Sequence, residues 1–118
     1  MTSTTLYGLP NCDSCRKARQ WLTAQGIAHD FVDYRQAPLP ATTLQDWSAQ
    51  VGGWKTLVNR SSTTWRNLPD PVKNPQSDDE WLALIAAQPT LVKRPVLLTP
   101  DGVVSVGFSE KSYNARFG

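Results

Sequence analysis

The chain contains two cysteines, Cys12 and Cys15, set two residues apart in the run Asn11-Cys12-Asp13-Ser14-Cys15-Arg16-Lys17. A thiol becomes a nucleophile as its thiolate, and a helix N-terminus or a nearby cation lowers its pKa toward neutrality. Two cysteines one helical turn apart divide the work of thiol–disulfide exchange. The first attacks a disulfide, and the second attacks the mixed disulfide that results. Cys12 is therefore expected to be the nucleophile and Cys15 the resolving thiol. Two plainer readings compete. The pair could be half of a zinc site, but such sites normally take four ligands, and only His29 and carboxylates remain to complete one. The cysteines could also be inert core residues. Neither metal nor bound cofactor is expected.

The elements that position the pair favour the redox reading. Thr4-Thr-Leu-Tyr7 is β-prone and is followed by Gly8-Leu-Pro10-Asn11, which reads as a turn. A helix is expected from Cys12 or Asp13 to a glycine cap at Gly26, with Cys15, Ala18, Trp21 and Leu22 on its inward face. Cys12 precedes that register, at the end where unpaired N–H groups and the helix dipole stabilise negative charge. Arg16 and Lys17 add positive charge, and Asp13 opposes it. Ala28–Tyr34 alternates as a half-buried strand, which completes a strand–helix–strand unit.

Helical signals dominate from Arg35 to Pro89. Pro40 opens a segment with Leu44, Trp47 and Val51 on one face, ended by Gly52-Gly53. Trp54–Val58 reads as a short helix. Ser77-Asp-Asp-Glu80 forms a capping box for a helix carrying Trp81, Leu84 and Ile85, which Pro89 ends. Pro95-Val-Leu-Leu98, Thr-Pro-Asp-Gly102 and Val103-Val-Ser-Val106 read as a hairpin. Ser109 is expected to cap a final helix, Glu110 to Phe117. The tryptophans are read as packing residues first, and His29, the only histidine, as a surface or strand-edge residue rather than a general base for Cys12.

Composition narrows the function. Length 118, 40% apolar residues and 19% charged residues describe one globular domain. A net charge of +2 from scattered residues predicts no direct nucleic-acid binding. Met1–Gly8 has neither a basic region nor an apolar run, and no stretch approaches a membrane span, so a cytoplasmic location is expected. A cysteine pair in that compartment is more often reactive than a permanent staple.

The Asn11-Cys12-x-x-Cys15-Arg16-Lys17-Ala18-Arg19 start, the Arg94-Pro95 step before a hairpin and the order of elements together resemble the ArsC/Spx family. Gly53-Trp54, Leu57-Val58-Asn59 and Thr63-Thr64-Trp65-Arg66 are similar to its YffB-like branch of arsenate-reductase-related proteins. The resemblance covers nearly the whole chain. It implies an α/β fold: a thioredoxin-like βαβ-ββα sheet with a helical insertion between the second and third strands. The domain would span 1–118, with the insert at about 36–89. Pro95 would be a cis-proline facing the active cysteine, with the Arg94 backbone presented to an extended thiol ligand.

Three functions follow from the resemblance. Arsenate-reducing members resemble this chain at Cys12 and Arg94, but they carry an arginine just before the last helix, where this chain reads Val106-Gly107-Phe108-Ser109. They also lack a cysteine at the position of Cys15, so arsenate reduction is not favoured. A glutathione-dependent thiol–disulfide reductase is the expected function. Cys12, Cys15 and Arg94 would be its catalytic residues, and Asn11, Lys17, Arg60, Arg66 and Pro95 its substrate-binding ones, with glutathione as co-substrate. The alternative is an Spx-like regulator that uses the pair as a redox switch while binding RNA polymerase.

Overall fold

A computed structural model describes residues 4–37 and 39–117. In chain order the elements are β1 (Thr4–Gly8), α1 (Asp13–Ala24), β2 (His29–Asp33), α2 (Ala41–Val51), α3 (Trp54–Leu57), α4 (Thr63–Arg66), α5 (Asp78–Ala87), β3 (Val96–Leu98), β4 (Val104–Val106) and α6 (Glu110–Phe117). Short 3-10 turns lie at Asp70–Lys73 and Pro89–Leu91. They form two compact units, one from the described residues of 1–34 and 94–118, the other from 35–93. The mixed α/β fold, with its thioredoxin-like sheet, is as the sequence leads one to expect. No helix among the described residues is long and apolar enough to cross a membrane.

The first unit is built on a four-stranded sheet of order β2-β1-β3-β4. β1 and β2 run parallel, whereas β3 is antiparallel to both β1 and β4. Alternation along β1 buries Thr4, Leu6 and Gly8. Leu6 packs with Ala18 and Leu22 of α1, Leu97 of β3 and Tyr113 of α6, and Trp21, Ile27, Phe31, Phe108 and Phe117 surround this cluster. Each fully buried leucine contributes about 1.5–3 kcal/mol.

α1 ends in a Schellman arrangement. The Gly26 amide donates to Thr23 O at 3.0 Å and the Ile27 amide to Leu22 O at 2.9 Å. Gly26 has φ 71°, a conformation that suits glycine. The hairpin turn is stitched by the Gly102 amide to Thr99 O at 2.9 Å and the Val103 amide to Asp101 Oδ1 at 3.2 Å. Arg116 of α6 donates to Thr99 Oγ1 at 2.6 Å and Val103 O at 3.0 Å, fastening the last helix to the hairpin.

In the second unit Trp81 stacks between Trp54 and Trp65, with ring centroids 6.3 and 6.0 Å away. Trp54 Nε1 donates to Asp78 Oδ1 at 2.8 Å. The Asn59 amide donates to Leu91 O and the Lys93 amide to Leu57 O, both at 2.8 Å, around a bridge between Val58 and Val92. Of the residues that carry the family resemblance in this stretch, Leu57, Val58 and Trp65 are buried. Ser77 caps α5 by accepting from the Glu80 amide, while Glu80 Oε2 accepts from the Gln76 amide, one residue earlier than a capping box requires.

Element limits differ from the sequence expectations in small ways. Gly8 belongs to β1 rather than to the turn, and β2 omits Ala28 and Tyr34. Val51 is half-buried, and Ser48 takes the inward place beside Leu44 and Trp47. α4 was not expected, because four residues are too few for a periodic signal; Ser62 caps it by accepting from the Trp65 amide at 3.2 Å.

Candidate active site

The register of the sheet brings three chain segments to one end. Gly8 pairs with Asp33 where the parallel strands β1 and β2 finish. β3 starts at that same end, since Val96 pairs with Tyr7. The residues just beyond these ends are the Leu9–Cys12 turn, Tyr34 and the Arg94–Pro95 step. The Arg94–Pro95 peptide is cis.

Cys12 caps α1 in extended geometry, φ −98° and ψ 127°. Its amide donates to Leu9 O at 3.3 Å, and its carbonyl accepts from the Arg16 amide at 2.9 Å. The sulfur makes no cap hydrogen bond of ordinary geometry, yet the N–H dipoles of Cys15 and Ser14 are directed at it. Partial burial works to raise its pKa. The Cys15 amide, the Cys15 thiol, the Arg94 guanidinium and the Ser14 amide outweigh that and hold it below the usual thiol value.

Cys15 behaves oppositely. It is buried, and burial pushes its pKa up to about 11 against the Leu9 amide and Arg94, with the neighbouring Cys12 sulfur pushing the same way. The Cys12 sulfur is therefore the more easily ionised of the two, and it accepts a hydrogen bond from the Cys15 thiol. Both cysteines are free.

The cation acting on the pair is Arg94, a half-buried residue, rather than the bases within α1. Arg16 forms an exposed ion pair with Asp13. Lys17 lines a groove of about 440 Å³ with Trp21, Gln25, Phe108 and Glu110, against the start of α6. Asn11 is exposed in the turn before Cys12, and Pro95 is buried at the start of β3. Arg60 and Arg66 are exposed residues of the second unit. The structure thus brings Cys12, Cys15 and Arg94 together within the first unit.

His29 stands at the far end of β1, where it pairs with Thr4, and its Nδ1 lies 3.0 Å from Ile27 O. Four strand residues at about 3.3 Å each separate that end from Gly8, so His29 is not a base for Cys12. Among the described residues no three His, Cys, Asp or Glu gather as metal ligands would. Two site residues escape sequence reading. Gly8 lies against Cys15, and Tyr34, buried at 1% exposure, hydrogen-bonds Arg94. The signal for both was positional: each ends, or directly follows, one of two parallel strands that finish together.

Residues 7–116 match the profile of the ArsC family. The solved structure of the YffB (PA3664) protein is 37% identical with a TM-score of 0.88, covering 98% of this chain and 100% of that one. An arsenate reductase (ArsC) related protein from Brucella melitensis is 44% identical with a TM-score of 0.75, covering 98% and 95%. The global transcriptional regulator Spx of Streptococcus agalactiae serotype V is 30% identical, covering 94% of this chain and 80% of Spx.

Proposed function

Because this chain belongs to the ArsC family, we propose that it is a thiol–disulfide reductase in which Cys12 attacks, Cys15 resolves and glutathione serves as the reducing co-substrate. The observation that carries this reading is the divergence of the two thiols: Cys12 is held below its ordinary value, while Cys15 is raised to about 11 and hydrogen-bonds to it. A pair of titratable groups pushed apart by their surroundings is a division of chemical labour.

The exchange runs in two steps. The Cys12 thiolate attacks the glutathione sulfur of a mixed disulfide, forming a Cys12–glutathione bond and expelling the substrate thiolate, which takes a proton from solvent. Cys15 then loses its proton and attacks the Cys12 sulfur. That forms the Cys12–Cys15 disulfide and expels glutathione as a thiolate. The substrate gains two electrons and the protein dithiol loses them; two further glutathione molecules restore the dithiol and leave as their disulfide. Arg94 stabilises the thiolate at each stage and offers a cation to a carboxylate of glutathione. Lys17 is a further candidate for the second carboxylate, with Asn11 and Pro95 as candidates to hold the rest of the ligand.

The test is reduction of a glutathione mixed disulfide by the wild-type protein, Cys12→Ser and Cys15→Ser. Turnover abolished by Cys12→Ser and weakened in Cys15→Ser supports the reading, and full turnover in Cys15→Ser removes the resolving role. Absence of wild-type turnover removes it.

The likeness to Spx favours a second reading, a redox-switched regulator that binds RNA polymerase. Retention of RNA polymerase only by the oxidised protein, with no reductase turnover, would put this reading first.

A further inference from the structure

Tyr34 directly follows the last residue of β2, at the sheet end where Gly8 stops and Val96 starts. Its side chain is 1% exposed, and a phenol so placed needs a polar partner. Arg94 is such a partner, its guanidinium donating to the phenol oxygen. Arg94 in turn acts on both cysteine sulfurs, and the phenol oxygen lies within electrostatic reach of both. Cys12, Cys15, Tyr34 and Arg94 thus form one cluster, assembled from the end of β2, the start of β3 and the head of α1.

We infer that Tyr34 is a positioning residue of the thiol site: its phenol oxygen fixes the Arg94 guanidinium beside Cys12 and, being neutral, does so without cancelling the guanidinium charge. An arginine side chain left untethered spreads over many rotamers, at about 2 kcal/mol of entropy when it is fixed. A carboxylate anchor would fix it and neutralise it at once. A phenol fixes it alone, and burial raises the Tyr34 pKa so that it stays neutral. Because guanidinium carries five N–H donors, one given to Tyr34 leaves others for the thiolate and for the anionic group of an incoming substrate.

This inference rests on Cys12 being the reactive thiolate, and not on which disulfide is reduced. It is tested by the pH dependence of Cys12 alkylation in wild type, Tyr34→Phe, Arg94→Gln and the double variant, with thermal unfolding as the control for folding. Tyr34→Phe is expected to move the alkylation midpoint upward by about half a unit to one unit. Arg94→Gln should move it at least as far, and the double variant no further than Arg94→Gln alone. An unchanged or lower midpoint in Tyr34→Phe overturns the inference. So does an equal upward shift in both arginine backgrounds, since the phenol would then act on Cys12 without Arg94. A wild-type midpoint at the ordinary thiol value removes the thiolate assignment itself, and is read before any variant is compared.

Discussion

The Cys15 sulfur lies so close to Gly8 that a β-carbon at Gly8 would overlap it. That β-carbon would also stand 3.6 Å from Cys15 Cβ and 3.7 Å from Phe31 Cε1, so little room exists for retreat. Glycine is needed here for space, because the Cys15 thiol occupies the place of its missing side chain. Gly8→Ala is expected to destabilise the protein by about 1–3 kcal/mol, the usual range for overpacking. It should also slow closure of the Cys12–Cys15 disulfide while sparing Cys12 alkylation. Urea unfolding and the rate of disulfide formation measure the two effects, and a variant with wild-type values for both would show that the contact is unimportant.

Selective alkylation follows from the divided thiols. With Cys12 lowered and Cys15 raised to about 11, iodoacetamide at pH 7 should label Cys12 and leave Cys15 unmodified. Peptide mapping decides it. Comparable labelling of both cysteines in the folded protein would contradict the assigned roles.

Much of this arrangement could be read from the chain before the fold was known. The thiols, the capped helix beginning at Cys12, the hairpin and the Arg94-Pro95 step all leave local marks: a spacing, a glycine at Gly26, the Pro-Asp-Gly turn. What was hidden depends on contacts between strands. Nothing near Tyr34 announces that β2 stops level with β1, because register comes from pairing and not from local preference. Gly8 looked like a turn residue for the same reason. The opposition of Asp13 to the positive charge of α1, expected from the sequence, takes the form of an exposed ion pair with Arg16, three residues on. Arg94, distant in sequence and named only through the family resemblance, is the cation that acts on Cys12.

Alkaline pH should weaken the fold. Cys15, Tyr34 and Tyr113 are each raised by burial, so the folded state holds their protons more tightly than the unfolded chain. That stability is complete below the unfolded values, about 8.5 for a thiol and about 10 for a phenol. It is lost as pH rises through the folded ones, which for Cys15 is about 11. Cys12, being lowered, works the other way: its contribution is present above about pH 8.5 and fades as pH falls through its folded value. Urea midpoints are expected to fall from about pH 9 upward, and less steeply in Cys15→Ser. A flat profile to pH 11 would be inconsistent with these buried protons.

Tyr113 offers a substitution that should cost nothing. Its ring meets Trp21 edge-on at 5.5 Å and Phe108 at 4.8 Å, but its buried hydroxyl has no hydrogen-bond partner among the described residues. An unsatisfied buried hydroxyl costs about 1–3 kcal/mol. Tyr113→Phe keeps the ring contacts and should be as stable as wild type or more so, as read by the urea midpoint. A loss above about 1 kcal/mol would mean that the hydroxyl makes a bond that matters.

The central claim, that Cys12 attacks and Cys15 resolves, is tested most directly by trapping the intermediate between the two steps. Cys15→Ser would be incubated with a glutathione mixed disulfide and its mass measured without reductant. The account predicts one glutathionyl group, located on Cys12 by peptide mapping, while the wild-type protein instead yields the Cys12–Cys15 disulfide. No adduct on Cys15→Ser, or a glutathionyl group on Cys15 in Cys12→Ser at a comparable rate, would contradict it.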